Sequence, residues 1–260
     1  MIHYHGTPIG GTKDETARFL LGRHALVSFA HGDDMPIVAE ACQSFILDNG
    51  AFSVWKRGGK LDVPGYLEWV REWYRHPGFD WALIPDVIAG DEEANDKLLY
   101  EWPHDLPGCP VFHMHESLER AHHLANEWAV VAIGSSGAWP NPGVESWWKR
   151  MAKIMEAMCD DLGRPFCKLH GLRMLDPEIF SRLPLSSADS TNVAINNKAR
   201  SRFGIYVPPS TSQRSAVIAA RIEACNSASV WGVPTQHEFD LEVECALQRP
   251  SKEPESVTDL

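Results

Sequence analysis

The sequence predicts an α/β protein built as one (β/α)8 barrel of the TIM type, and three observations carry that prediction. Short apolar runs of strand length alternate with amphipathic or charged stretches of helix length. Several of the runs end in Asp, His or Gly just where the chain turns polar, as barrel strands do at the end that holds the site. A chain of 260 residues, 44% of them hydrophobic, suits a single domain of this kind.

Taken in order, residues 7–11 (Thr-Pro-Ile-Gly-Gly) form a turn-rich opening. Residues 13–23 read as a helix, with Thr12 as N-cap and Glu15 three residues on. A first buried strand covers 25–30. A second covers 44–48, ends in Asp48 and passes into the loop Asn49-Gly50-Ala51-Phe52. A helix over 64–75 leads to a third strand at 80–84, with Asp86 at its exit, and an acidic helix follows at 91–101. The fourth strand, 109–115, carries His113 and His115 two residues apart, so both should point to one side. A helix over 116–128, a fifth strand over 129–133 and the small-residue loop Gly134-Ser135-Ser136-Gly137 come next. A Trp- and Met-rich helix over 144–161 precedes a sixth strand at 165–171, with Lys168 and His170 on one side. A short helix at 176–182, a seventh strand at 185–189 ending in Asp189 and an eighth at 202–207 complete the count, the last after a segment short for a crossover. Residues 1–248 form the expected barrel and 249–260 a disordered tail.

The formal charge of −11 argues against indiscriminate binding to nucleic acid. The distribution says more than the sum, because residues 190–222 hold no Asp or Glu but contain Lys198, Arg200, Arg202, Arg214 and Arg221. The six cysteines are scattered without metal-ligand spacing, which points to reduced thiols. No apolar run is long enough to span a membrane and the N-terminus has no signal-peptide pattern, so a cytoplasmic protein is expected.

Asp189 is the candidate catalytic carboxylate, delivered at a strand's end. Asp48 has the position to move a proton and Phe52 a ring face for a planar ligand. For Asp48, a loop-capping Asx turn is the competing reading.

Asp48-Asn49-Gly50-Ala51-Phe52 resembles the Asp-Ser-Gly-Gly-Phe loop of tRNA-guanine transglycosylases. Pro85-Asp86-Val87, residues 112–117, Ile133-Gly134-Ser135, Leu169-His170-Gly171 and Asp189-Ser190-Thr191 follow in that family's order, over about residues 44–200. The closest branch is the phage-encoded enzymes that insert 7-deazaguanine bases into DNA. The resemblance implies base exchange without a cofactor, on a DNA substrate with a free 7-deazaguanine base as partner, in the host cytoplasm for a phage protein. It implies Asp189 as nucleophile and Asp48 as general acid and base. It also implies base recognition by Asp86, His115, Asn49, Gly134 and Ser135, stacking on Phe52, and His170 with Gly171 on the sugar side. Lys198, Arg200, Arg202 and Arg214 would meet the nucleic-acid backbone, and the target nucleotide would be flipped out of the duplex. The family's C-terminal zinc subdomain is expected to be missing, because Cys225 and Cys245 lack its other ligands.

Two other readings stand beside this one. His113, His115, Lys168, His170 and Asp189 are residue types used by metal-dependent amidohydrolase-like barrels, although a His-x-His on the fourth strand fits that family's order poorly. A catalytically inactive nucleic-acid-binding barrel is the third.

Overall fold

A computed structural model describes residues 1–232. The disordered-tail expectation and Cys245, part of the zinc argument, lie outside the described residues. The chain opens with β1 (Ile2–Gly6), α1 (Lys13–Leu20), β2 (His24–Ser28), α2 (Met35–Ala41), β3 (Ser44–Asp48) and α3 (Ala51–Lys56). It continues through α4 (Val63–Trp73), β4 (Phe79–Leu83), α5 (Glu92–Glu101), β5 (Gly108–Cys109), β6 (Val111–His113) and α6 (Leu118–Glu127). Then come β7 (Val130–Gly134), α7 (Glu145–Met158), β8 (Lys168–Gly171), α8 (Pro177–Phe180), β9 (Ser187–Ser190), α9 (Asn192–Asn196) and α10 (Thr211–Glu223).

The nine strands pair in the order β5-β4-β3-β2-β1-β9-β8-β7-β6. Every pairing is parallel. The two ends of that order, β5 and β6, are separated in the chain only by Pro110, so the sheet curls into a nearly closed α/β barrel. Proline has no N–H to give to a ladder. Cys109 still accepts from Ile84 on one side (2.9 Å), and the Pro110 carbonyl accepts from Ala132 on the other (2.9 Å).

Alternation along the strands sorts the side chains into two layers. Ala25, Val27, Phe45, Leu47, Val131 and Ile133 belong to the large apolar core shared with the helices. Their neighbours Tyr4, Leu26 and Ile46, packed with Trp81, and the group Leu83, Cys109, Val111, Val130 and Ala132 form two smaller clusters, which fill the barrel interior. The Tyr4 hydroxyl donates to Asp80 Oδ2 (2.6 Å), giving the one polar atom of that buried ring a partner. The predicted first helix carries a full capping box, Thr12 Oγ1 accepting from Glu15 N–H and Glu15 Oε2 from Thr12 N–H. Glu15 Oε1 also accepts from Thr211 N–H (2.6 Å), which fastens the start of α10 to α1.

Two expectations need correction. Residues 202–207 do not form a strand. Arg200–Phe203 is a 3-10 turn, Gly204 takes φ +66°, and Ile205 and Tyr206 are exposed. The reason is topological: β9 already pairs with β8 and β1, which leaves it no open edge. The place expected for that strand is taken by β1, whose sequence Ile-His-Tyr-His-Gly lacks the apolar run of the other strands. The fourth strand also ends at His113, and residues 114–116 turn away.

Candidate active site

A cavity of about 530 Å³ lies at the C-terminal end of the strands, and Asp48, Asp86 and Asp189 all line it. That size is within the usual range for a small-molecule site.

Asp189 sits in β9 beside Tyr4 of β1 and is 5% exposed. Its Oδ1 accepts from the Arg173 amide (3.0 Å) and lies 3.2 Å from His170 Nε2. His170 Nδ1 is 2.8 Å from the Ser187 hydroxyl. With Ser187 donating to Nδ1, Nε2 carries the proton that Asp189 accepts. The His170 ring is itself wedged edge-on against Trp81 (4.9 Å) and Tyr4 (5.9 Å), so the interior aromatics fix the imidazole that orients the carboxylate.

Asp48 ends β3. Gly50 follows at φ +78°, a left-handed turn that glycine takes without strain, and it carries the chain straight into α3. Burial pushes the Asp48 carboxyl up from 3.8 to about 6, and the negative charges of Asp189 and Asp86 push the same way, against the Ser28 hydroxyl and the Gly50 amide. Such a group changes protonation near neutral pH.

Asp86, just beyond β4, is held from two sides. Asn49 Nδ2 donates to Oδ1 (2.9 Å), and His113 Nε2 lies 3.0 Å from Oδ2. The rest of the Asn49 amide is also used, Nδ2 on the Ile84 carbonyl (2.9 Å) and Oδ1 on the Ala51 N–H (2.7 Å). Asn49 therefore lines the cavity while fixing Asp86 and the first turn of α3.

The remaining predicted residues divide. Phe52, Gly134 and Ser135 line the cavity. Ser135 Oγ accepts from Trp147 Nε1 (2.9 Å), which ties this loop to α7. His115 is exposed and not part of the lining. It stacks on His113 (5.6 Å, 24° between planes) and reaches Ser136 Oγ and the Gly90 carbonyl, both at 3.0 Å. Gly171 is a packing position, where a Cβ would come within 2.8 Å of Met174 Cβ and 2.9 Å of Leu185 Cδ1. Lys198, Arg200 and Arg202 are exposed. Arg214 instead spends its guanidinium on the carbonyls of Asn197, Pro208 and Pro209 and on Thr211 Oγ1.

Among the cavity residues given no part in base exchange by the sequence are His113, named there only for the metal-dependent reading, Ser28 and Arg173. His113 and Ser28 carry the strand-exit signal that marked the aspartates, since each is the last residue of its strand. Arg173 has no such signal. It is the only non-glycine residue with positive φ (+58°) among the described residues, and its guanidinium lies 4.1 Å over the Phe52 ring.

Among the described residues, no group of three or more His, Cys, Asp and Glu is arranged to hold a metal ion, and no helix is long and apolar enough to cross a membrane. No known family model matches the chain, and no curated protein matches its sequence.

Proposed function

We propose that this chain is a base-exchange glycosyltransferase, replacing guanine in DNA by a 7-deazaguanine derivative through a covalent aspartyl intermediate. The observation that carries the reading is the pair of unlike carboxylates on one cavity, Asp189 fixed by an amide and an imidazole, Asp48 raised by burial to about 6, where it can both give and take a proton. We also read β5 and β6 as one stave interrupted at Pro110, which makes the fold a (β/α)8 barrel.

In the first half-reaction an Asp189 oxygen bonds to the anomeric carbon as the bond to guanine N9 breaks, and Asp48 gives its proton to the leaving base. In the second, Asp48 takes the N9 proton of the incoming 7-deazaguanine, whose nitrogen bonds to the anomeric carbon and displaces Asp189. Asp86 serves recognition. With Asn49 using one lone-pair site and His113 lying beside Oδ2, its carboxylate keeps acceptors for the N1–H and 2-amino group of a guanine-like base, and adenine lacks that pattern. Phe52 offers its face to the base plane once the Arg173 guanidinium moves aside.

The test is a denaturing gel of protein incubated with guanine-containing DNA. Wild type is expected to give a slower-migrating protein–DNA adduct that free 7-deazaguanine discharges, and Asp189→Asn to give none. An adduct that persists in Asp189→Asn refutes the assignment.

A further inference from the structure

The basic segment after Asp189 is not the only acid-free stretch at the cavity. Residues 49–61 also lack Asp and Glu, in a chain of net charge −11, while containing Lys56, Arg57 and Lys60. Both stretches reach the mouth, the first through Ala194 and Ile195, the second through Phe52 and Ser53. The two run on from β9 and β3, so the mouth has a cation-bearing segment on each of these sides.

The second stretch has a feature that the first lacks. Phe52 and Trp55 fall three residues apart on α3 and therefore on one face. Their rings are 6.0 Å apart at 36°, and they are 40% and 53% exposed. The chain after α3 folds back onto the helix. Gly58 N–H donates to the Trp55 carbonyl (3.0 Å), Gly59 N–H to the Val54 carbonyl (3.0 Å), and Arg57 Nε to the Ser53 carbonyl (3.1 Å). These bonds fold residues 57–59 back against the end of α3, the helix that carries the two rings, and Lys56, Arg57 and Lys60 are all exposed there. A large exposed ring is poorly used by a folded monomer, and three cations without an intervening acid repel one another. Both features are relieved by one kind of partner, a polyanion with flat apolar faces.

We propose that α3 and residues 57–60 form a binding surface for single-stranded nucleic acid, holding the nucleotides next to the one whose base enters the cavity. Trp55 stacks on a neighbouring base, and Lys56, Arg57 and Lys60 neutralise the phosphates on that side. Phe52 marks the boundary, one ring wall of the cavity and the start of the external platform. The inference takes the identity of the target nucleotide from the base-exchange reading, but it concerns binding and is measured without chemistry.

The probe is a fluorescein-labelled single-stranded DNA oligonucleotide, titrated by anisotropy against the full chain at several salt concentrations. Trp55→Ala is expected to weaken binding about tenfold, within the range seen for loss of one base stack. The triple variant K56Q/R57Q/K60Q is expected to flatten the slope of log K against log salt by about 2, at roughly 0.7 per phosphate on a single strand. Both changes lie on exposed side chains, so melting temperatures should stay near that of wild type and misfolding is read directly. Affinity within twofold for Trp55→Ala together with an unchanged slope for the triple variant overturns the proposal, as does absence of binding by wild type. Weakened binding without any covalent adduct leaves this surface standing and removes base exchange. An adduct with unaltered binding by the variants does the reverse.

Discussion

Replacing Asp48 by Asn should make the protein more stable while abolishing the proposed base exchange, and the gain should depend on pH in a defined way. The folded carboxyl is held at about 6, against an ordinary value of 3.8. Well below pH 3.8 the group is protonated in folded and unfolded chains alike and contributes nothing. Between about pH 4 and 6 the unfolded chain ionises while the folded one keeps its proton, so the penalty grows, and above 6, where the folded chain too must ionise a carboxyl facing two other carboxylates, it levels off. At about 1.4 kcal/mol for each tenfold in acidity, the folded state is disfavoured by roughly 3 kcal/mol at pH 8, reduced to about 2 where cavity solvent reaches the group. Asp48→Asn has no charge to enclose. Urea denaturation of both proteins from pH 4 to 8 should show curves that nearly coincide at pH 4 and separate by about 2 to 3 kcal/mol at pH 8. In melting temperature that separation is roughly 4 to 12 °C for a chain of this size. A difference that stays flat with pH, or a variant less stable than wild type at pH 8, would refute the account of Asp48 as a strained proton carrier.

Glu223 predicts the opposite dependence. Its hydrogen bond to His5, with the Arg23 charge, holds the carboxyl down to about 2, so it stabilises the fold above its unfolded value of 4.5 and loses that effect as pH falls toward 2. Glu223→Gln should therefore cost about 2 kcal/mol at pH 7 by chemical denaturation, a gap that narrows below about pH 4.5. Gly171→Ala should destabilise by about 1 to 3 kcal/mol, because the added methyl meets Met174 and Leu185 inside contact distance, and a melting temperature equal to that of wild type would show that β8 gives way freely.

The layout of helices and strands was legible wherever apolar periodicity was strong, and the two failures share a cause. β1 reads Ile-His-Tyr-His-Gly, and its helix-facing positions are histidines where a buried strand ordinarily shows Val or Ile. His5 is accommodated there because Glu223, itself bonded by Arg23, lies against its Nε2 from a distant part of the chain. Residues 202–207 carry the residue types of a strand, yet pairing is decided by which edges are open, and that is a property of the whole sheet. Within the site, the three aspartates were visible because a carboxylate at a strand exit is a local signal. That Asn49 is spent on Asp86, or Arg214 on three carbonyls, depends on partners between 5 and 37 residues away and is written nowhere near the residue itself. The exchange of His115 for His113 at the cavity wall turns on where β6 stops, since two residues of turn suffice to move a side chain off the lining.

Arg173 divides its labour between backbone and side chain. The amide that steadies Asp189 belongs to the main chain and survives any substitution the left-handed conformation tolerates, whereas the guanidinium over Phe52 belongs to arginine alone. The threshold of the cavity can thus be re-cut, by exchanging one side chain for glycine or asparagine, without loosening the carboxylate behind it. The width of the entrance and the hold on the carboxylate rest on separate atoms of the same residue.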